Sequence, residues 1–562
     1  MTAARARAAR GVLLPVLAAV LSLAVYLSNG RTIGSGDTQG PALVPVSLLT
    51  RGTLDLSPFV PLLAPPGTLP YYLRQKAGGI WPAYSPAPGI LVTPLYAIPV
   101  GWYASSGRTA QEWLAFARRW EKYAAAVVTS LSVSVFMLLA LELGASVASA
   151  SMLTVAYAVG SEAWAVSSQA LWQHGPASLA LLVLVLAAVR FRRRQTVAWG
   201  FAGGCALGLA AAIRPFALVL AIPVVGWVLW RCRKPKLRLA WLVPAVLVGL
   251  TWPAYSVWLF GSSLGMYHGA FGWPSVEAYT GLLASPGRGL LPYFPIALLA
   301  VPGFASAWSG RWRAFSMALA AGVAGHLFLL GWHPDWGGGH GFGPRYCAEI
   351  QPWLLLLALP WLAAARRSAA RRWMVGILIA WGVGVQAVGA FLYPGGCWDD
   401  DPVQVESAPG RLWDWTDNPV TRELRSALAG PRPPIIRLAS WSARYRAPAR
   451  LELVRGGTMT VPVGVTNTGR EPWPVHADAD CACIVHLSWH LRGAAGAHIR
   501  YEGLRAALSR SVAPGESVRV DLPVTAPAAP GDYILDVTLV QERVGWFEDR
   551  GVPPARVALR VR

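Results

Sequence analysis

A single carboxylate, Asp37, follows an apolar stretch in the glycine-rich run SNGRTIGSGDTQGP (28–41). A carboxylate can take a proton from an attacking hydroxyl. Cationic and hydrogen-bonding side chains stand in other polar stretches: Lys76 in YYLRQKAGG, His174 in LWQHGP, Arg288 in SPGRGLL and Arg345 in GHGFGPRY. Arginine holds phosphate through paired hydrogen bonds, and fixed cations offset the charge on a departing phosphate. Glycines let backbone approach a ligand closely. Together these residue types suit group transfer from a lipid-phosphate donor.

Each of these residues also has a plainer reading. Asp37 can be a helix cap or turn residue. Arg288 and Arg345 can be interfacial anchors whose long stems lie along apolar surface. His174 can be a structural hydrogen-bonding residue, and Lys76 is equally open. Asp55 is a second acid in the same outer stretch as Asp37 and rivals it as the base. Glu162 and Arg214 fall inside apolar runs, where an ionisable residue is a functional candidate by default. Glu162, Asp55, His174, His340 and Tyr346 are the candidates to line a shared cavity.

Metal chemistry has weaker signals. HPDWGGGH brings His333, Asp335 and His340 together, and HADADCACIVH (476–486) is rich in ligand types. Neither spacing matches a standard zinc pattern. The C-x-C reads more readily as a strand face or an oxidised pair. No cofactor is firmly implied, and a divalent metal has no support from spacing. Cys347 and Cys397 are both expected outside, so a disulfide between them is an open expectation.

The elements that must position these residues are membrane helices. Of 562 residues, 54% are hydrophobic and only 14% charged, against about 25% charged in soluble domains. Apolar candidates cover 11–28, 84–104, 124–143, 146–165, 174–190, 196–213, 215–230, 239–260, 291–309, 314–332, 350–365 and 373–393. A net charge of +21 raises nucleic acid as a partner. The arginines cluster between apolar runs, however, so the membrane accounts for them and no nucleic acid is expected. The N-terminal stretch lacks a clean A-x-A site and reads as an uncleaved first span.

Arg5, Arg7 and Arg10 put the N-terminus on the cytoplasmic side. RFRRR (190–194), RCRKPKLR (231–238), RWR (311–313) and RRSAARR (366–372) share that side only if 84–104 does not cross. That proline-rich segment suits an interfacial or re-entrant helix. The expectation is about eleven crossings, with a long first outer loop over 29–122. Asp37, Lys76, His174, Arg288, Arg345 and the C-terminal region then all lie outside.

From about Leu451 the pattern changes to short β-rich runs separated by turns such as APGES and APAAPGD, which argues for a β-sandwich. Trp473, Trp489 and Trp546 are expected in or near its core. The proline-rich 394–450 reads as a linker between a membrane domain (1–393) and the sandwich (451–562).

Five short motifs occur in order: SGDT (35–38), GTLDLSPF (52–59), LWQHGP (171–176), SPGRGLL (285–291) and GPRY (343–346). On this topology, residues 11–393 resemble the GT-C class of polytopic glycosyltransferases, which includes protein O-mannosyltransferases and lipid A aminoarabinose transferases. The resemblance implies inverting transfer of a sugar from a polyprenyl-phosphate donor. It also implies a first-loop acid acting near the acceptor, here Asp37, and first-loop helices lying along the membrane surface. Family members often carry an adjacent acid pair, whereas Asp37 is followed by Thr38.

The segments VTNTGREPWP, HLSWHL and LVQERVGWF resemble immunoglobulin-like sandwiches found beside bacterial carbohydrate enzymes. The implied fold is a multispan α-helical GT-C-like membrane protein with a C-terminal all-β sandwich, in a bacterial cytoplasmic membrane. The implied partners are the polyprenyl-phosphate sugar, membrane lipids, and a carbohydrate, lipid or protein acceptor. Arg288, Arg345 and Lys76 are the expected donor-phosphate ligands. A transporter or flippase of a polar lipid is a rival, but it predicts internal repeats and midplane charges. A polysaccharide ligase or polymerase would use similar outer arginines.

Overall fold

The computed structural model describes residues 3–64, 69–104, 107–267, 272–365, 368–430, 437–478, 481–493, 496 and 498–562. The chain divides into two compact units, Met1–Phe391 and Leu392–Arg562. The first is helical and the second β-rich.

The helical unit opens with α1 (Ala3–Leu27), α2 (Gly36–Arg51) and the short α3 (Val60–Leu63). The antiparallel hairpin β1 (Leu73–Lys76)–β2 (Gly79–Pro82), then α4 (Ala87–Tyr103) and α5 (Ala110–Glu142) follow. Next come α6 (Val147–Gly160), α7 (His174–Arg194), α8 (Val197–Ile213), α9 (Ala217–Trp230), α10 (Pro235–Gly249) and α11 (Thr251–Phe260). The unit ends with α12 (Val276–Ala284), α13 (Leu290–Tyr293), α14 (Ala300–Ala307), α15 (Arg313–Leu330), α16 (Gln351–Ala365) and α17 (Ala369–Phe391).

Among the described residues, five helices are long and apolar enough to cross a membrane: α5, α7, α10 running on into α11, α15 and α17. Shorter apolar helices accompany them, including Gly11–Leu27, Val147–Gly160, Val197–Ile213 and Ala217–Trp230.

Two features refine the expected first outer loop. α5 begins at Ala110 rather than near residue 122, because a capping box starts it there. The Thr109 hydroxyl accepts from the Glu112 amide, and the Glu112 carboxylate accepts from the Thr109 amide at 2.9 Å. Its 33 residues rise about 50 Å, well beyond the roughly 30 Å hydrocarbon thickness. The 84–104 segment forms the 17-residue α4, which packs closely on α2. A Cβ added at Gly89 would stand 2.7 Å from the Pro41 carbonyl oxygen and from Val44.

The second unit is a sandwich of two sheets. One has strand order β4–β12–β10–β6–β7: β4 (Arg450–Leu453), β12 (Ala555–Val561), β10 (Gly531–Gln541), β6 (Val485–Gly493) and β7 (His498–Arg500), with β8 (Ala506–Ala507) on β6 and β11 (Gly545–Trp546) on β10. The other has β3 (Ala443–Arg446), β5 (Thr458–Asn467) and β9 (Ser517–Thr525). β12 and β4 pair in parallel and the other pairs are antiparallel.

Alternate residues of β5 and β9, such as Val461, Val463, Val465 and Leu522, meet Leu487, Trp489, Leu535 and Val537 of the larger sheet in one apolar core. Trp473 and Trp489 lie in that core, and Trp546 is buried next to it, beside the core residue Phe547. Trp546 is buried beside the His490 ring, with centroids 4.2 Å apart.

The stretch expected as a linker is not an extended tether. Residues 392–430 form part of the second unit, and β3 within 437–450 is a sheet strand. Cys397 is disulfide-bonded to Cys481. The Asp401 carboxylate accepts from the Ala477 amide at 3.1 Å, and His486 Nε2 meets the Pro402 carbonyl at 2.9 Å. Helix α18 (Pro419–Ala429) starts on its own capping box at Asn418. Cys347 is a free, buried thiol, so the open pairing of Cys347 with Cys397 is replaced by Cys397–Cys481. Sequence reading could not foresee this, because Cys481 sits beside a second candidate, Cys483, which remains a thiol.

Candidate functional site

Asp37 occupies the first turn of α2, where the helix dipole favours an anion. It is not the cap. Ser35 is the N-cap residue, and its hydroxyl accepts from the Asp37 amide at 3.2 Å. The carboxylate instead reaches across the chain. Its Oδ2 accepts from Arg345 Nη1 at 3.1 Å, and its Oδ1 accepts from the Tyr71 hydroxyl at 2.7 Å.

The segment before α2 is fastened in place. The Ile33 amide donates to the Gln169 carbonyl at 3.3 Å, and Trp172 Nε1 donates to the Ile33 carbonyl at 3.2 Å. The motifs SGDT, LWQHGP and GPRY therefore converge, since the Arg345 guanidinium also stands over the Trp172 ring, 4.9 Å from its centroid.

Burial alone would lower the Arg345 pKa, but the Asp37 carboxylate beside it more than offsets that and holds the guanidinium above its ordinary value. Tyr346 continues the cluster. Its ring centroid lies 5.4 Å from the Arg345 guanidinium and 5.5 Å from that of Arg214, and His333 packs on it edge-on. Behind Tyr346 lies a buried ion cluster. Glu349 Oε1 accepts from Arg214 Nη1 at 2.7 Å and stands 3.0 Å from His174 Nδ1. His174 begins α7 and Arg214 ends α8, so this cluster ties two helices to the turn that carries Arg345 and Tyr346.

The other expected site residues make their own contacts. The Asp55 Oδ1 accepts from the Ser57 amide at 3.0 Å, from the Ser57 hydroxyl at 2.5 Å and from the Ile80 amide at 2.9 Å. Partial burial raises its pKa, but those bonds and Arg51 outweigh it and leave the group below the usual carboxylate range. Asp55 thus anchors the β1–β2 hairpin, and Tyr71 lies two residues before it. Lys76 is exposed at the end of β1, and its side chain makes no hydrogen bond or ion pair among the described residues. Trp81 Nε1 donates to its carbonyl.

Arg288 was expected to face a phosphate. Its guanidinium is buried and donates to the carbonyls of Gly287, Gly337 and Gly339 at 3.2, 3.1 and 3.0 Å. These bonds hold the glycine-rich segment before Arg345. Glu162 is buried and accepts from Gln386 Nε2 at 3.1 Å. It abuts Gly343, whose φ of +60° sets the turn into Pro344–Arg345. His340 is half-buried in the same segment. Among the described residues, no group of three His, Cys, Asp or Glu side chains could hold a metal ion.

Tyr71, Trp172 and Glu349 were missed from sequence. Glu349 carried a readable signal, an acid at the mouth of the apolar run that follows it. Tyr71 carried none, because aromatic residues are common near membrane boundaries.

No family model and no curated protein matches the chain. Among solved structures, it is similar to ArnT from Cupriavidus metallidurans bound to undecaprenyl phosphate, with 16% identity over 75% of each chain and a TM-score of 0.41. It is also similar to the apo state of the same protein, with 17% identity over 72% of this chain and 68% of that one and a TM-score of 0.43.

Proposed function

We propose that this chain is a membrane glycosyltransferase of GT-C type that moves a sugar from a polyprenyl-phosphate donor to an extracytoplasmic acceptor. The observation that carries the reading is the pairing of Asp37 with Arg345 in front of Tyr346 and Arg214. An acid able to act as a base and a cation able to hold phosphate stand side by side there, which supports the reading.

In this reading the acceptor hydroxyl attacks the anomeric carbon from the face opposite the phosphate. Its proton passes to Asp37. The bond from the anomeric carbon to the phosphate oxygen breaks, and the polyprenyl phosphate leaves with its charge offset by Arg345. One displacement inverts the anomeric centre. Lys76, exposed on the hairpin, is available to a lipid headgroup approaching from the membrane side. Arg288 acts at one remove, by holding the 337–339 loop.

The test is transfer of labelled sugar from a panel of polyprenyl-phosphate donors in reconstituted vesicles, with the product anomer read by NMR. Transfer with inversion is expected. Transfer with retention contradicts the single displacement, and absence of transfer across the panel favours the transporter or ligase readings.

A further inference from the structure

Both oxygens of Asp37 are occupied. Oδ2 faces Arg345 Nη1 and Oδ1 faces the Tyr71 hydroxyl. The two contacts come from opposite ends of the helical unit, since Arg345 is 308 residues from Asp37 and Tyr71 is 34. A carboxylate held this way has one of its acceptor sites on each oxygen taken, and the site on Oδ2 that faces Arg345 is closed to an acceptor hydroxyl while the guanidinium stays in place. Arg345 is likewise engaged by an anion before any phosphate arrives.

We propose that Tyr71 is a positioning residue for Asp37, and that an anionic phosphate ester and the Asp37 carboxylate are alternative partners of Arg345. Phosphate binding draws the guanidinium from Oδ2 and opens that site to the acceptor proton. Tyr71 keeps its bond to Oδ1 and holds the carboxylate where α2 presents it. Donor therefore binds before acceptor. This rests on the glycosyltransferase reading given above and adds the order of binding and the role of Tyr71.

Local geometry supports a Tyr71 placed for this purpose. Its hydroxyl lies against the start of α2, and a Cβ added at Gly36 would fall 2.6 Å from its oxygen. The tyrosine thus approaches Asp37 over a position without a side chain. The hairpin it leads into is pinned by Asp55 through Ile80, so Tyr71 does not depend on Arg345 for its position. The Arg345 side chain is 10% exposed and that of Asp37 is 24% exposed. The bridge is therefore partly hydrated, and an incoming phosphate can exchange for it.

The experiment measures affinity for a polyprenyl monophosphate in phosphatidylcholine nanodiscs, using the full chain and independently of turnover. Asp37→Asn and Asp37→Ala remove the competing anion and are expected to bind the lipid phosphate about tenfold more tightly, equivalent to about 1.4 kcal/mol. Both are expected to lose transfer. Arg345→Gln is expected to bind more weakly than wild type. Tyr71→Phe is expected to keep wild-type affinity and lose turnover, so that kcat falls while phosphate affinity does not. A merely structural Tyr71 would lower affinity and thermal stability together.

Unchanged or weaker binding by both Asp37 variants, in a preparation whose wild type transfers sugar, overturns this inference and leaves the glycosyltransferase reading standing. Absence of lipid-phosphate binding in every variant, Asp37→Ala included, removes both.

Discussion

Replacing Glu349 with glutamine tests the ion cluster behind the site. The Glu349 side chain is wholly buried and that of Arg214 is 7% exposed. Neutralising Glu349 leaves the Arg214 charge buried beside His174 without its carboxylate. Breaking a buried pair from one side costs about 3–5 kcal/mol, because the remaining charge is uncompensated. Arg214→Met alone leaves Glu349 in the same position and is expected to cost a similar amount. The double variant Arg214→Met/Glu349→Leu removes both charges. It is expected to be less destabilised than the sum of the single losses by about 2–3 kcal/mol.

The assay is thermal unfolding of the full chain in nanodiscs, followed by circular dichroism at a helical wavelength so that the first unit is read separately from the sandwich. Strictly additive losses, or a Glu349→Gln protein as stable as wild type, would refute the claim that these residues form one coupled cluster.

Other perturbations have equally definite outcomes. The Cys397–Cys481 bond closes a loop with a sequence separation of 84. Its removal by Cys397→Ser is expected to destabilise the second unit by about 4–5 kcal/mol in the chain-entropy account, read as faster proteolysis of 392–562 in the full chain. In the same unit, burial raises the pKa of Glu542, but Arg505 and His486 outweigh it and bring the carboxyl down to about 2. The pair's contribution is thus complete above the unfolded value of about 4.3 and is lost as pH falls toward 2, so Glu542→Gln should flatten the acid limb of the unit's stability profile. At Gly343 a Cβ would fall 2.5 Å from Glu162 Oε1 and 2.7 Å from Tyr293, at φ +60°. Gly343→Ala is therefore expected to displace the Arg345 turn and abolish lipid-phosphate binding, whereas Gly226→Ala, at a position with open space, is expected to leave it intact.

Much of the architecture was legible from patterning. Alternating runs in β5, β9 and β12 identify a sandwich because a sheet with one buried face must alternate. β6 breaks that rule. His486, Ser488 and His490 are as buried as Leu487 and Trp489, because the segments around 402 and 501–505 cover its outer face. Alternation then hides a second burial layer. The same cover explains why 394–450 read as a linker. Its order comes from a disulfide and hydrogen bonds to residues 84 and 76 positions away, not from apolar runs of its own.

The site was legible in part. Asp37, Arg345, Tyr346 and His174 stand out as polar groups at the ends of apolar runs, and the structure brings them into one chain of contacts. Asp37 and Asp55 are indistinguishable by composition. What separates them is local: Asp55 folds back on Ser57 and Ile80, while Asp37 starts a helix that aims it at a distant arginine. Arg288 looked like a phosphate ligand because an outer arginine opposes the positive-inside trend. In the structure its guanidinium donates to backbone carbonyls of a glycine-rich loop, contacts that no pattern of side chains reveals.

The most direct measurement is transfer of labelled sugar from polyprenyl-phosphate donors by wild type and by Asp37→Asn, both in vesicles and both matched for thermal stability. Transfer by wild type and its loss in Asp37→Asn are expected, with Asp55→Asn retaining activity. An Asp37→Asn protein that turns over as fast as wild type would contradict the central claim.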